Sequence, residues 1–164
     1  MNYRLAEERD IDAICALITS AIAEMERNNI YQWDNIYPTR EDFTNDIIKK
    51  TLYVGTIDDG IAVVYAINQD ADEQYANGTW AYPDSNYSII HRLCVNPKFQ
   101  NRGVAKETLN NIETTLREAG TESVILDVFT ENPFALKLYR RNGYAEVGTA
   151  HWRKGTFLLM EKHL

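Results

Sequence analysis

Two cysteines in 164 residues, Cys15 and Cys94, stand far apart with no C-x-x-C spacing, so neither a disulfide framework nor a thiolate metal site is expected. Four prolines and eight glycines are too few for a collagen-like repeat or a Pro/Gly linker, and no internal repeat or low-complexity tract breaks the chain. Long apolar runs are missing too. Stretches such as residues 61–64 end far short of the roughly 20 residues a membrane span needs. The first ten residues hold Arg4, Glu7, Glu8, Arg9 and Asp10, which leaves no room for the apolar core of a signal peptide. No membrane partner and a cytoplasmic location are therefore the expectation. Positive charge is in deficit: the formal net charge is −7, which argues against a nucleic-acid partner, because phosphate neutralisation needs clustered Lys and Arg.

What remains is an ordinary globular composition, 45% hydrophobic and 25% charged. A chain of this length reads as one domain over residues 1–164 and can bury a core without staples. Its charge is uneven. Residues 1–87 carry six basic and sixteen acidic side chains, whereas residues 88–164 carry eleven basic and eight acidic ones. Solvated surface explains such a split unless an anion-binding motif falls in the basic part.

Periodicity predicts a short strand at residues 3–5 and then a helix capped by Asp10, with Ile11, Ile14, Ile18, Ile22 and Met25 on one face. Thr39 and Asp42 stand in capping-box spacing ahead of a second helix carrying Phe43, Ile47 and Ile48. Residues 52–57 and 61–68 read as a hairpin turned by Asp58, Asp59 and Gly60. Residues 69–87 are polar and aromatic without a clear period, the kind of long loop that often forms a lid.

A strand over residues 88–95 ends at Asn96-Pro97, with Ile89, His91, Leu93 and Val95 on one face and Ile90, Arg92 and Cys94 on the other. The following helix has the stripe Leu109, Ile112, Leu116 and Ala119, an expected Glu113–Arg117 pair, and Gly120 at its end. Residues 123–129 form another strand. Asn132 and Pro133 open a short helix closed by Asn142-Gly143, and strands at residues 144–150 and 156–161 complete the chain.

Between the strand at 88–95 and the next helix lies Gln100-Asn101-Arg102-Gly103-Val104-Ala105. Small residues there allow close backbone approach, and a helix start offers free N–H groups and a positive dipole end, so a pyrophosphate is a natural occupant. Lys98, Arg102 and Lys106 add charge. Taken alone, the pattern is equally that of a plain strand-to-helix turn.

A second motif joins it. Asn132, Ala135, Tyr139, Gly143 and Tyr144 follow a strand as N-x-x-A-x-x-x-Y-x-x-x-G-Y. With the Q-x-x-G-x-A loop in the same order, the chain resembles the GNAT superfamily of acyl-CoA-dependent N-acyltransferases, most strongly over residues 89–144. Ala105 stands where glycine is commoner, and Tyr144 where phenylalanine is frequent. The resemblance implies an α+β fold of three layers, with a mixed, mostly antiparallel twisted sheet of about six or seven strands flanked by about four helices.

It also implies acetyl-CoA as co-substrate, with no metal, and direct acetyl transfer to a primary amine of a small molecule, peptide or protein. Leu93, Cys94 and Val95 would pair their backbone with the pantetheine arm, and Gln100, Asn101, Arg102, Gly103, Val104 and Ala105 would hold the pyrophosphate. Asn132 would lie beside the pantetheine or the thioester end, a role compatible with capping its helix. Tyr139 would sit near the sulfur, the alternative being a core aromatic. A basic residue four or six positions before Val95 occurs in several members. His91 and Ile89 fill those places, and His91 reads either as a proton relay or as a hydrogen-bonded structural histidine. Trp33, Tyr37, Trp80, Tyr82 and Tyr87, with Asp34, Glu41, Asp70, Asp72, Glu73 and Asp84, fall in segments that would border the acceptor, and such a rim suits a cationic amine. The rival reading is a non-catalytic acyl-CoA-binding regulatory module. Monomer and homodimer remain equally open.

Overall fold

The computed structural model describes all residues from Met1 to Leu164. Seven strands form one sheet in the order β1-β2-β3-β4-β5-β7-β6. They are β1 (Asn2–Leu5), β2 (Leu52–Ile57), β3 (Gly60–Asn68), β4 (Tyr87–Val95), β5 (Ser123–Phe129), β6 (Ala145–Trp152) and β7 (Gly155–His163). Four helices accompany them: α1 (Ile11–Arg27), α2 (Arg40–Ile48), α3 (Val104–Glu118) and α4 (Pro133–Arg141). The pairs β1/β2, β2/β3, β5/β7 and β6/β7 are antiparallel and β4/β5 is parallel, which is the mixed, mostly antiparallel sheet expected. No helix is long and apolar enough to cross a membrane. The chain divides into two compact units, Met1–Ile67 with Arg92–Thr108, and Asn68–His91 with Leu109–Leu164.

In the first unit, α1 buries Ile14, Leu17, Ile18 and Ala21 against Phe43 of α2, Leu52, Val54, Val64 and Ala66 of the hairpin, and Cys94. Burial of each large aliphatic side chain contributes about 1.5–3 kcal/mol, so this stripe is the main support of the unit. Asp58 and Asp59 both adopt left-handed backbone, φ 48° and 64°, as the two-residue turn between right-twisted strands requires. The Thr39–Asp42 capping box forms as read.

Two expectations for this unit need correction. Asp10 precedes α1, but its side chain makes no cap bond there. Its carboxylate instead accepts both terminal nitrogens of Arg4, at 2.7 and 2.9 Å, and the amide of Glu7. A buried bidentate partner outcompetes a single capping bond. Trp33 is no rim residue: it is 8% exposed and lies within the core.

In the second unit, residues 69–87 are anchored rather than lid-like. Tyr75 is buried, Trp80 stacks on it at 5.8 Å and donates from its indole nitrogen to the Tyr75 carbonyl. The Thr79 amide donates to the Val147 carbonyl at 2.7 Å, and the Glu161 carboxylate accepts the amides of Ala81 and Tyr82. At Gly148 a Cβ would stand 2.8 Å from the Asn77 carbonyl oxygen and 3.0 Å from the Gly78 Cα, so β6 meets this segment backbone to backbone. Parallel pairing of β4 with β5 covers three residue pairs, from Tyr87↔Ser123 to Ile89↔Ile125, while β5 pairs with β7 along its whole length.

The expected Glu113–Arg117 helix pair is also overturned. Glu113 is 6% exposed and accepts from Lys162 Nζ at 2.7 Å and Tyr144 Oη at 3.0 Å. Arg117 is exposed. Ala119 is exposed as well, because α3 ends at Glu118 and Ala119 belongs to the exit turn. The α4 signals hold: the Asn132 side chain caps Ala135 N at 3.1 Å, and Gly143 at φ 89° ends the helix.

Asp10→Asn is expected to lower stability by about 2 kcal/mol at neutral pH, the range for hydrogen bonds to charged groups. Hydrogen bonding to Arg4 holds the folded Asp10 carboxyl below its ordinary range. The contribution is thus present above the unfolded value of about 3.9 and lost as pH falls through the lower folded value. Urea melts of both proteins at about pH 7 and about pH 2 should show the gap closing in acid. In the same assay, Glu113→Ala should cost about 2–3 kcal/mol by stranding the Lys162 ammonium. Arg117→Ala should stay within about 0.5 kcal/mol.

Candidate functional site

The turn from β4 into α3 lies in the first unit and is built from its caps. Asn96 donates its backbone N–H to the Ala62 carbonyl and its side-chain amide to the Ile61 carbonyl, while its side-chain oxygen accepts from Lys98 N at 3.1 Å. This fixes the strand exit against β3. Asn101 and Gly103 then take left-handed backbone, φ 62° and 75°, and α3 starts at Val104. A Cβ at Gly103 would meet nothing within 4 Å, so glycine is required there by φ and not by space. The Glu107 amide bonds to the Gly103 carbonyl at 3.0 Å, which leaves the amides of Val104, Ala105 and Lys106 outside the helical ladder. Gln100, Asn101, Arg102 and Gly103 are exposed, and Arg102 lies over the Phe99 ring at 5.6 Å. Amides without helical partners, a helix dipole and the exposed Lys98, Arg102 and Lys106 make a cradle suited to an anion.

Upstream, Arg92 has φ 51° within β4. A left-handed non-glycine residue costs about 1–2 kcal/mol and breaks the alternation of faces. Face assignments made by counting across Arg92 therefore do not hold, including the opposition of Cys94 to His91. The guanidinium donates to Asp46 Oδ2 and, at 2.9 Å, to the Tyr37 hydroxyl, and its Nε is buried without a partner. Leu93 and Val95 are half-buried and Cys94 is buried in the core, where burial pushes its thiol up to about 12. So protonated a thiol is no nucleophile. A cleft of about 580 Å³ also lies in this unit, floored by Ile18, Ile22 and Phe43, with Glu26 and Asp34 among its lining residues.

In the second unit, the half-buried His91 ring donates from Nε2 to the Asn68 side-chain oxygen at 2.8 Å. Tyr139 is 7% exposed, its ring packs edge-on against Tyr144 at 5.4 Å, and its hydroxyl has no hydrogen bond within the protein. Burial first, and then the charge of Asp127, raise the Tyr139 hydroxyl well above the ordinary phenol range. It is a hydrogen-bond donor that keeps its proton. Asp127 accepts the Tyr75 hydroxyl at 2.6 Å. Sequence reading passed over Asp127, although an acid inside the apolar run Ser-Val-Ile-Leu-Asp-Val-Phe is itself a signal.

The aromatic and acidic residues expected around an acceptor are largely occupied. Tyr37 bonds Arg92, the Tyr87 hydroxyl donates to the Gln69 carbonyl, and the Tyr82 ring lies 4.6 Å from that of His163. Asp34 accepts the amides of Ile36 and Tyr37, and Asp72 accepts from Gln74 N and the Trp152 indole. No three His, Cys, Asp or Glu side chains are grouped so as to hold a metal ion.

Residues 20–144 match the model of the Acetyltransferase (GNAT) family. The crystal structure of a GNAT-family acetyltransferase from Streptococcus agalactiae 2603 is similar at a TM-score of 0.87 and 26% identity, covering 99% of this chain and 95% of that one. The uncharacterized N-acetyltransferase YesJ of Bacillus subtilis (strain 168) is 24% identical over 142 residues, 85% of this chain and 78% of YesJ. The fold is shared, at a TM-score of 0.74 and 15% identity over 99% of this chain and 98% of the other, with a PaiA N-acetyltransferase from Thermoplasma acidophilum crystallised with coenzyme A. The chain spans only 16% and 45% of the length of two other curated relatives it matches. From the family match over most of its residues and the fold that goes with it, the chain belongs to the GNAT acetyltransferase family.

Proposed function

We propose that the protein transfers an acetyl group from acetyl-CoA directly to the nitrogen of a primary amine. The observation that carries this reading is the strand–turn–helix at residues 95–107, where left-handed Asn101 and Gly103 lead into α3 and its first amides stand outside the helical ladder near three exposed basic side chains. Residues 100–105 take the pyrophosphate, and the backbone of residues 93–95 pairs with the pantetheine arm as an added strand does. Asn132 contributes beside the arm while capping α4.

An amine of pKa about 10.4 must lose its proton before it attacks, which costs about 4 kcal/mol at pH 7.4. Asp127, a carboxylate inside the apolar β5 that accepts the Tyr75 hydroxyl at 2.6 Å, is favoured to hold the ammonium while that first proton leaves to water and then to act as base. His91 is the alternative base, with Nε2 engaged by Asn68. The nitrogen lone pair bonds to the thioester carbonyl carbon, the carbon–sulfur bond breaks, and the second nitrogen proton, made acidic by the new bond, passes to the base. Tyr139 donates a hydrogen bond to the departing sulfur without surrendering its proton, since its raised pKa makes full transfer to a thiolate of about 8.5 uphill. With Cys94 inert, the transfer is direct. The charge of Asp127 favours a cationic acceptor over an acidic one.

Saturating acetyl-CoA or CoA, at about 100 times Kd, should stabilise the protein by about 2.7 kcal/mol and raise Tm by several degrees. ATP should not, and Gly103→Glu should abolish the shift. A melting curve unmoved by acetyl-CoA, with calorimetry in agreement, defeats the reading. Binding without thiol release across a panel of small amines and peptides would leave a binding module. Against an accepted amine, Tyr139→Phe should lower kcat about a hundredfold with little change in the KM for acetyl-CoA. The loss in Asp127→Asn should narrow as pH approaches the pKa of the amine. If His91→Gln reproduces that narrowing and Asp127→Asn does not, the base is His91.

A further inference from the structure

We infer that Arg92, Asp46 and Tyr37 form a clamp that fixes the left-handed bend of β4 at Arg92 and so positions the backbone of residues 93–95. The inference rests on the acyl-CoA reading above, which assigns that backbone to the pantetheine arm. It makes all three positioning residues, since none needs to touch the reacting atoms.

Arg92 takes left-handed backbone, φ 51°, inside a strand, a conformation that glycine or asparagine ordinarily supplies. Nothing in the backbone requirement explains an arginine at that position. Its side chain explains it. Only 14% exposed, it reaches Asp46 on α2 through one terminal nitrogen and the Tyr37 hydroxyl through the other. Nε is buried and unpartnered, so the guanidinium does not sit where all its donors are matched. It sits where its planar fork spans two acceptors on different elements, which the point charge of a lysine does not do.

The two anchors differ. Asp46 is 8% exposed near the end of α2, and its carbonyl is tied down by the Thr51 amide at 2.9 Å. It is a rigid, buried counter-charge. Tyr37 is 39% exposed on the connection between α1 and α2, in a turn closed by the Asp34 amide on the Tyr37 carbonyl at 3.1 Å. One residue of β4 is thereby held from the helix layer and from a surface turn together. The next three residues, 93–95, run from this fixed point to Asn96, which is pinned to Ile61 and Ala62. A short stretch fixed at both ends holds its amides and carbonyls in one orientation before any ligand arrives, which is what a strand-like ligand needs in a template.

The test uses Arg92→Gly, which keeps the left-handed backbone without strain and removes only the clamp, with Asp46→Asn and Tyr37→Phe as variants that leave the strand sequence untouched. Amide hydrogen exchange of the ligand-free proteins should speed up at least tenfold at residues 93–96 in Arg92→Gly and Asp46→Asn. Val54 and Val64 in the neighbouring hairpin should keep wild-type rates. In kinetics with an accepted amine, kcat/KM for acetyl-CoA should fall at least tenfold in those two variants and about threefold in Tyr37→Phe, while Arg92→Lys fails to rescue. Exchange and kcat/KM within twofold of wild type in Arg92→Gly overturn the clamp. If Arg92→Gly does not fold, the same result in Asp46→Asn overturns it. A wild-type protein that does not bind acetyl-CoA overturns the cofactor reading instead, and the ligand-free exchange experiment separates that failure from failure of the clamp.

Discussion

A backbone N–H or C=O that leaves its strand or helix unpaired must find another partner or meet solvent, and at the head of α3 this requirement is left open. Parallel pairing of β4 to β5 stops at Ile89. Arg92 then turns left-handed, and the head of α3 begins with amides that no helical carbonyl can reach. Elsewhere the chain closes such gaps itself, with Thr39 and Asn132 at helix starts, Asn96 at the end of β4, and Glu161 under Ala81 and Tyr82. The contrast is the reason for proposing the turn into α3 as the anion-binding part of the site.

Local signals were legible wherever the physics is local. The Thr39–Asp42 box, the Asp58-Asp59-Gly60 turn and the Asn132-Pro133 start each involve atoms a few residues apart, and each forms as the sequence indicates. The strand, glycine turn and helix at residues 88–118 were readable for the same reason. Partners far apart in sequence were not. Spacing paired Glu113 with Arg117, but a buried carboxylate gains more from Lys162 and the Tyr144 hydroxyl than from an exposed neighbour one turn on. Asp10 was diverted to Arg4 in the same way. The left-handed bend at Arg92 has no glycine to announce it, and its causes, Asp46 and Tyr37, lie 46 and 55 residues away. Of the candidate site, the loop and Tyr139 could be found by pattern, whereas Asp127 carried only the weak signal of an acid in an apolar run until its contact with Tyr75 gave it a place.

The buried acids also change how the net charge should be understood. Asp10, Asp46 and Glu113 each sit with a basic partner, Arg4, Arg92 and Lys162, and Glu161 is held by amides. These ion pairs cancel locally and contribute little to the outer field. The acidity an approaching molecule meets comes from unpaired surface carboxylates, and Lys98, Arg102 and Lys106 stay exposed at the turn into α3.

The bare contact of Gly148 with Asn77 and Gly78 bears on how this chain could discriminate among ligands. A loop that closes over its guest loses conformational freedom on each encounter, and part of the binding energy is consumed in ordering it. Residues 73–82 have already lost that freedom, because β6 lies flush against them. Any molecule they touch meets a surface shaped during folding, so misfits are rejected by steric mismatch and not by failure to induce closure. Diversity among relatives in what they accept would then arise by replacing side chains on a fixed backbone, with position 148 unable to change without lifting the whole segment.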